Sequence, residues 1–360
     1  MKKRQANIEM LRCIAMMMVV MLHYLSKGGF LAPLTGELDI NHYVAWGMEA
    51  FAIVAVNVYV LISGYFLVDS TFSLKKIIRL WLQVFFYSLS LPAILILISL
   101  FLPETEKLLV LSELNLYQLL QYGFPLLMEH YWFISAYLVM YLFFPFLALG
   151  MKSMSKDMLQ KMIFLLLLVL SVAKTVLPVK LSMDSLGYDS IWFMCVFLVA
   201  GYIKLYGIPF FNSAGKSFFC FLVSSGLTFG MTVLLRAVYL ATGKIGDFIQ
   251  SAYSYNHVLN LFGAVALFYT FYYLKIEGEK GMGKISLWAG PYTLGVYLLH
   301  EHLEIRWRWP TWLGACPQDP VLLFVGKSLL SVFFVFGIGV GVDYLRVWLF
   351  ERMEKLCRKK

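Results

Sequence analysis

The chain has 360 residues, 61% of them hydrophobic and 14% charged, with a mean hydropathy of +0.75. A soluble domain carries about 25% charge, so an ordinary globular enzyme built on one large core is excluded. The formal net charge of +9 does not point to nucleic acid, because the basic residues cluster at the ends of apolar blocks, as in multi-pass membrane proteins.

Lys2, Lys3 and Arg4 precede an apolar run from Ile8 to Leu25, the outline of a signal peptide. No small-x-small site follows, and Glu9 and Arg12 interrupt the run, so a retained first helix is expected. Arg12 and His23 are eleven residues apart, about three full turns at ~100° per residue, so they share one face roughly 16 Å apart. Charged and titratable groups inside a membrane helix are by default a functional hypothesis. Glu9, three residues before Arg12, is close enough to pair with it. The competing reading is an Arg snorkelling to the interface and a His hydrogen-bonded to a neighbouring helix.

Ten helices are expected, near 8–26, 43–67, 77–102, 131–149, 161–178, 190–205, 217–241, 258–275, 286–304 and 321–346. A short interfacial helix is expected within 115–129. With the N-terminus inside, most of the 30 basic residues fall at cytoplasmic ends, while acidic residues such as Glu37, Asp39, Asp184 and Asp189 fall outside. Ten crossings place both termini in the cytoplasm. The fold class is therefore an all-α polytopic bundle, a membrane domain over 1–346 followed by a basic cytoplasmic tail over 347–360. No repeat of fixed period is present. Cys13, Cys195, Cys220, Cys316 and Cys357 show no metal spacing, and no structural disulfide is expected.

In chain order, the second helix ends in Ser63-Gly64-Tyr65, followed by Lys75, Lys76 and Arg79. A cationic cluster at the inner surface can hold phosphates; it also serves as ordinary anchoring. His130-Tyr131-Trp132-Phe133 opens the fourth helix, either as a membrane aromatic belt or as a platform for sugar rings. The ninth helix carries Tyr297, His300, Glu301, His302 and Glu304. Tyr297 with Glu301, and His300 with Glu304, are four apart and share a face. A carboxylate beside an imidazole can orient it or raise its basicity. His300 and His302 point to different sides of a helix, so no zinc site is expected, and His302 reads as a rim residue. Asp343 reads as an interhelical hydrogen-bonding residue. No nucleotide-binding glycine loop, GxSxG or HExxH is present.

Taken together these stretches resemble acyltransferase family three, the integral-membrane O-acyltransferases that decorate bacterial surface glycans. Asn7-Ile8-Glu9-Met10-Leu11-Arg12 through His23-Tyr24 resembles the family's Arg-x10-His motif. Ser63-Gly64-Tyr65 with Lys75-Lys76-Ile77-Ile78-Arg79 resembles its SGY-plus-basic segment, Tyr131-Trp132-Phe133-Ile134 its WF signature, and Gly295 to Glu301 its late VYLIHE-like helix. Lys76 stands where many members carry the first Arg of an Arg-x-x-Arg pair, which keeps the charge but loses the planar fork.

The resemblance implies ten crossings, both termini inside, a bacterial cytoplasmic membrane, acetyl-CoA as donor and a saccharide acceptor, with no metal. Some relatives carry an extracytoplasmic esterase-like domain; none is seen here, so the membrane part is expected to make the transfer itself. On this reading Lys75, Lys76 and Arg79 meet the donor phosphates, with Arg12, Ser63 and Tyr65 along the donor path. His23 activates a sugar hydroxyl as general base or carries the acetyl group covalently. Tyr131, Trp132, Tyr297, His300 and Glu301 belong to the acceptor side. A transporter or flippase for a lipid-linked glycan is the rival from another class, and would show inverted halves with broken helices at matching positions. Oligomeric state has no signature in the chain.

Overall fold

The computed structural model describes residues 4–128, 130–177 and 184–357. Lys2 and Lys3, and Arg358, Lys359 and Lys360 of the tail, lie outside the described residues. Helix accounts for 75% of the chain, with no strand among the described residues. In order the helices are α1 (Ala6–Lys27), α2 (Ile40–Ala52), α3 (Ala55–Leu67), α4 (Leu74–Ser99), α5 (Leu116–Gly123), α6 (Trp132–Ser153) and α7 (Lys156–Leu167). They continue as α8 (Ala173–Val176), α9 (Ser190–Tyr206), α10 (Ala214–Thr242), α11 (Val258–Tyr273), α12 (Gly281–Ala289), α13 (Thr293–His300), α14 (Trp309–Trp312) and α15 (Val321–Cys357).

Each of the ten expected segments contains helix, and among the described residues seven helices are long and apolar enough to cross a membrane. The other three are shorter. α9 has 17 residues and α11 has 16, about 25 Å of rise against a hydrocarbon core of about 30 Å. Both are enclosed: α9 packs on α3 and α6, and α11 lies between α10 and α3. The expected short helix before the fourth crossing is α5.

Burial sorts the crossings. The apolar windows of α1 and of α2–α3 are 67% and 78% buried, whereas those of the other five candidate spans are 22–33% buried. α1 is thus the central post, packed against α2, α3, α11, α12, α13 and α15. The outer helices turn Phe164, Leu234, Leu330 and Phe333 outward, where lipid tails are as apolar as the core. Asp343, buried in α15, accepts from Gln83 and the Tyr87 hydroxyl of α4 at 3.1 and 3.0 Å and from Arg346 at 2.7 Å. It ties two helices together, as its place in an apolar segment suggests.

Three departures from regular helix matter. The second expected helix breaks between α2 and α3 at Ile53-Val54. The span of α7 widens into a π turn at Leu168–Val172, and Asn256 Nδ2 donates to the Leu170 carbonyl at 3.1 Å, satisfying a backbone group there. The ninth expected helix, 286–304, is not one rod. α12 stops at Ala289, a tight turn Gly290–Tyr292 follows, and α13 ends at His300. Pro291 has no N–H to continue the ladder. Glu301, His302 and Glu304 therefore leave the helix, and the α15 rod runs unbroken past residue 346 to Cys357.

Candidate active site

Arg12, His23, Ser63, Lys76, Trp132 and Tyr297 line a single cavity of about 420 Å³ inside the bundle. α1 supplies its long wall. Near the α1 N-terminus the lining is cationic and hydroxylic, with Arg4, Arg12, Ser63 and Lys76; at the far end it holds His23, Trp132, Tyr255 and Tyr297. Met16, Val19, Ile134 and Leu138 form an apolar waist between them. The volume is within the usual range of small-molecule sites, about 300–1,000 Å³.

At the cationic end, Arg12 Nη1 donates to both oxygens of Glu9, at 3.0 and 2.9 Å. Glu9 is only 5% exposed, and an unpaired buried carboxylate is expensive. Gly290 permits this arrangement, since a Cβ there would stand 2.1 Å from Glu9 Oε2. The Tyr59 hydroxyl donates to the Arg12 carbonyl at 2.8 Å. Arg12 is thus restrained, with part of its charge answered from within its own helix.

At the far end, hydrogen bonding settles which nitrogen of His23 is available. His300 Nδ1 lies 2.6 Å from the Val296 carbonyl. A carbonyl only accepts, so Nδ1 carries the proton and His300 Nε2 is an acceptor. His23 Nδ1 lies 2.8 Å from that Nε2 and 2.9 Å from Glu301 Oε2. Both neighbours accept, so His23 carries its proton on Nδ1; this tautomer is assigned from the network. Nε2 is left as the lone-pair nitrogen of a ring that lines the cavity. Lys27, one turn beyond His23, is ion-paired with Glu301, and Arg306 stands 3.9 Å from it. Two cations keep the buried carboxylate ionised and aimed.

His23, His300 and Glu301 also offer ligand atoms within 4.8 Å of one another, a trio different from the His300–His302 pair weighed in the sequence. The Lys27 ammonium already occupies the carboxylate, and a fixed cation at that distance opposes a second one.

Several expected members lie elsewhere. Tyr65 packs on Phe268 and Tyr272 with the Lys204 ammonium 4.5 Å from its ring centroid, away from the cavity. In Ser63-Gly64-Tyr65 only Ser63 lines the cavity, while Gly64 abuts Ala200 and Phe197 of α9. Lys75 and Arg79 are exposed and do not line the cavity, because successive positions on α4 point in different directions. Tyr131 is fully buried and its hydroxyl donates to the Leu298 carbonyl at 2.9 Å, so it is a tether between α6 and α13. Glu304 accepts from the Tyr122 hydroxyl instead of facing His300. His302 is not a rim residue but 0% exposed.

Residues passed over in the sequence complete the site. Arg4, Tyr59, Tyr137 and Tyr255 line the cavity, and Lys27 braces Glu301. Lys27 follows His23 by four residues, a same-face spacing that marks it once His23 is singled out.

A protein-family model described as an acyltransferase domain matches residues 5–346. No curated protein and no solved structure matches the chain.

Proposed function

The chain belongs to acyltransferase family 3, and from that premise we propose that it moves an acetyl group from cytoplasmic acetyl-CoA to a hydroxyl of a cell-surface or lipid-linked saccharide, in a bacterial cytoplasmic membrane. One observation carries this reading: His23, with Nδ1 held by Glu301 and His300, lines the same cavity as Arg12 and Lys76.

The donor phosphates meet Arg4 and Lys76 at the cationic mouth, where charge-assisted hydrogen bonds are strongest. The pantetheine arm runs along the apolar waist, which excludes the water that would otherwise hydrolyse the thioester. At the far end the acceptor hydroxyl gives its proton to His23 Nε2 as its oxygen attacks the thioester carbonyl carbon. The carbon–sulfur bond breaks, and the departing sulfur takes the proton back from His23. Glu301 stabilises the transient imidazolium, the part a carboxylate plays in a hydrolase triad. A positioned base supplies about 10²–10⁴-fold.

The test is transfer of label from radiolabelled acetyl-CoA to glycan in membranes carrying the wild-type chain or His23→Ala. Transfer at the wild-type rate in His23→Ala removes the histidine from the mechanism. Movement of glycan across vesicles with no acetylation favours transport instead.

A further inference from the structure

We propose that Trp132, Tyr188 and Tyr255, with the carboxyl of Glu49, form the subsite that holds the acceptor sugar; this rests on the acyl-transfer reading above. The three rings form one cluster. Trp132 lies 4.6 Å from Tyr188 and 5.8 Å from Tyr255 between ring centroids, and Tyr188 lies 4.6 Å from Tyr255. Trp132 and Tyr255 line the His23 end of the cavity, whereas Tyr188 is 47% exposed. The cluster is therefore a continuous aromatic path from the surface to the base. Aromatics of a membrane belt face outward, as do Tyr117 and Trp312, at 60% and 54% exposure; here Trp132 and Tyr255 face the cavity, and Tyr188 packs on both from the surface side.

The backbone is arranged to put Tyr188 there. Leu186 has φ +58° and Gly187 φ +82°, two left-handed residues in succession. For a branched side chain such as Leu that conformation is costly, and strain of this kind concentrates at functional sites. Gly187 has no alternative: a Cβ would stand 2.8 Å from Asn256 N and 2.8 Å from Tyr255 Cβ. The turn is fastened by Tyr255 N donating to the Leu186 carbonyl at 2.9 Å. Asn57 of α3, fully buried, donates to the Tyr255 carbonyl at 2.7 Å and accepts from Trp192 Nε1 at 2.9 Å.

Glu49 adds the polar element. It lies in an apolar helix, 8% exposed, and its Oε2 has no hydrogen-bond partner. It is within electrostatic reach of Tyr188 and Tyr255, whose rings pack on each other. An unsatisfied buried carboxyl oxygen requires a donor, and a sugar offers hydroxyl donors beside an apolar C–H face for the rings.

The test uses membranes of the native host with the wild-type chain, Tyr188→Ala or Glu49→Gln, supplied with radiolabelled acetyl-CoA. Ring contacts and hydrogen bonds to a buried carboxyl each predict a loss of about tenfold in glycan labelling, with the apparent KM for acetyl-CoA unchanged. Labelling at the wild-type rate in both variants overturns the proposal. A raised donor KM also overturns it, since the residues would then serve the donor or the fold. Glu49→Gln keeps the side-chain shape and Tyr188 is on the surface, so both variants should fold. Failure of the wild-type chain to label glycan at all would instead strike at the acyl-transfer reading, and the subsite would fall with it.

Discussion

Two histidine pairs lie close together inside this protein, and only one of them faces the cavity. His130 and His302 have ring centroids 4.7 Å apart, are 1% and 0% exposed, and have Glu304 and Tyr122 nearby. Every ring nitrogen there is engaged. Leu303 N donates to His130 Nε2 at 3.3 Å, and His130 Nδ1 faces Ser88 Oγ at 3.4 Å. Glu304 N donates to His302 Nδ1 at 3.2 Å, and His302 Nε2 faces the Ser88 carbonyl at 3.4 Å. The pair holds the loop after α13 against α4. In the His23–His300 pair, the protein engages three ring nitrogens and leaves His23 Nε2 on the cavity. A ring–ring contact and a neighbouring carboxylate are common to both pairs; a lone pair that a substrate can reach is not.

The comparison breaks most readily at the two histidines themselves. His23→Gln should lower glycan acetylation by about 10²–10⁴-fold with little change in thermal stability. His302→Gln should leave measurable transfer and lower the melting temperature, because it strips partners from buried backbone. Equal losses of activity in two equally folded variants would erase the distinction. Next, Glu301→Gln should cut turnover by roughly 10²-fold, since an amide can present its N–H to His23 and turn the tautomer; a change confined to donor KM would place Glu301 outside the proton path. Lys27→Met should destabilise the protein by about 3 kcal/mol by leaving Glu301 short of one cation in a buried site, read as a lower denaturation midpoint. The smallest effect separates lining from proximity at the other end: Lys76→Ala should raise the acetyl-CoA KM about tenfold, and Lys75→Ala or Arg79→Ala less than about twofold. Equal effects at all three would mean that general positive charge suffices.

Local relations were legible in the sequence, and distant ones were not. The Glu9–Arg12 pair and the common face of Arg12 and His23 follow from helix periodicity alone. That Glu301 sits on His23 does not, because 278 positions separate them and only the packing of α13 on α1 joins them. The break before α13 is written in Gly290-Pro291, but the apolar run around it reads as one rod. Lys75 and Arg79 look equivalent to Lys76 by charge, and only the rotation of α4 distinguishes them. His302 reads as a rim residue when the helix is assumed to continue; the turn after His300 carries it inward against His130. Glu49 gives no signal of its own in the sequence, as its significance lies in a carboxyl oxygen left without a partner.

Because Arg12 and His23 ride on one unbroken helix, α1 works as a ruler between the two ends of the cavity. A helix neither stretches nor slips, so the interval of about three turns is a mechanical constant of the protein. Inserting one residue anywhere between them would swing the imidazole by ~100°, off the cavity wall and away from Glu301. The segment after it is fixed in another way, by Phe30 stacking between Tyr24 and Phe324. Change in the length of this chain is therefore tightly rationed along one short stretch of its first helix.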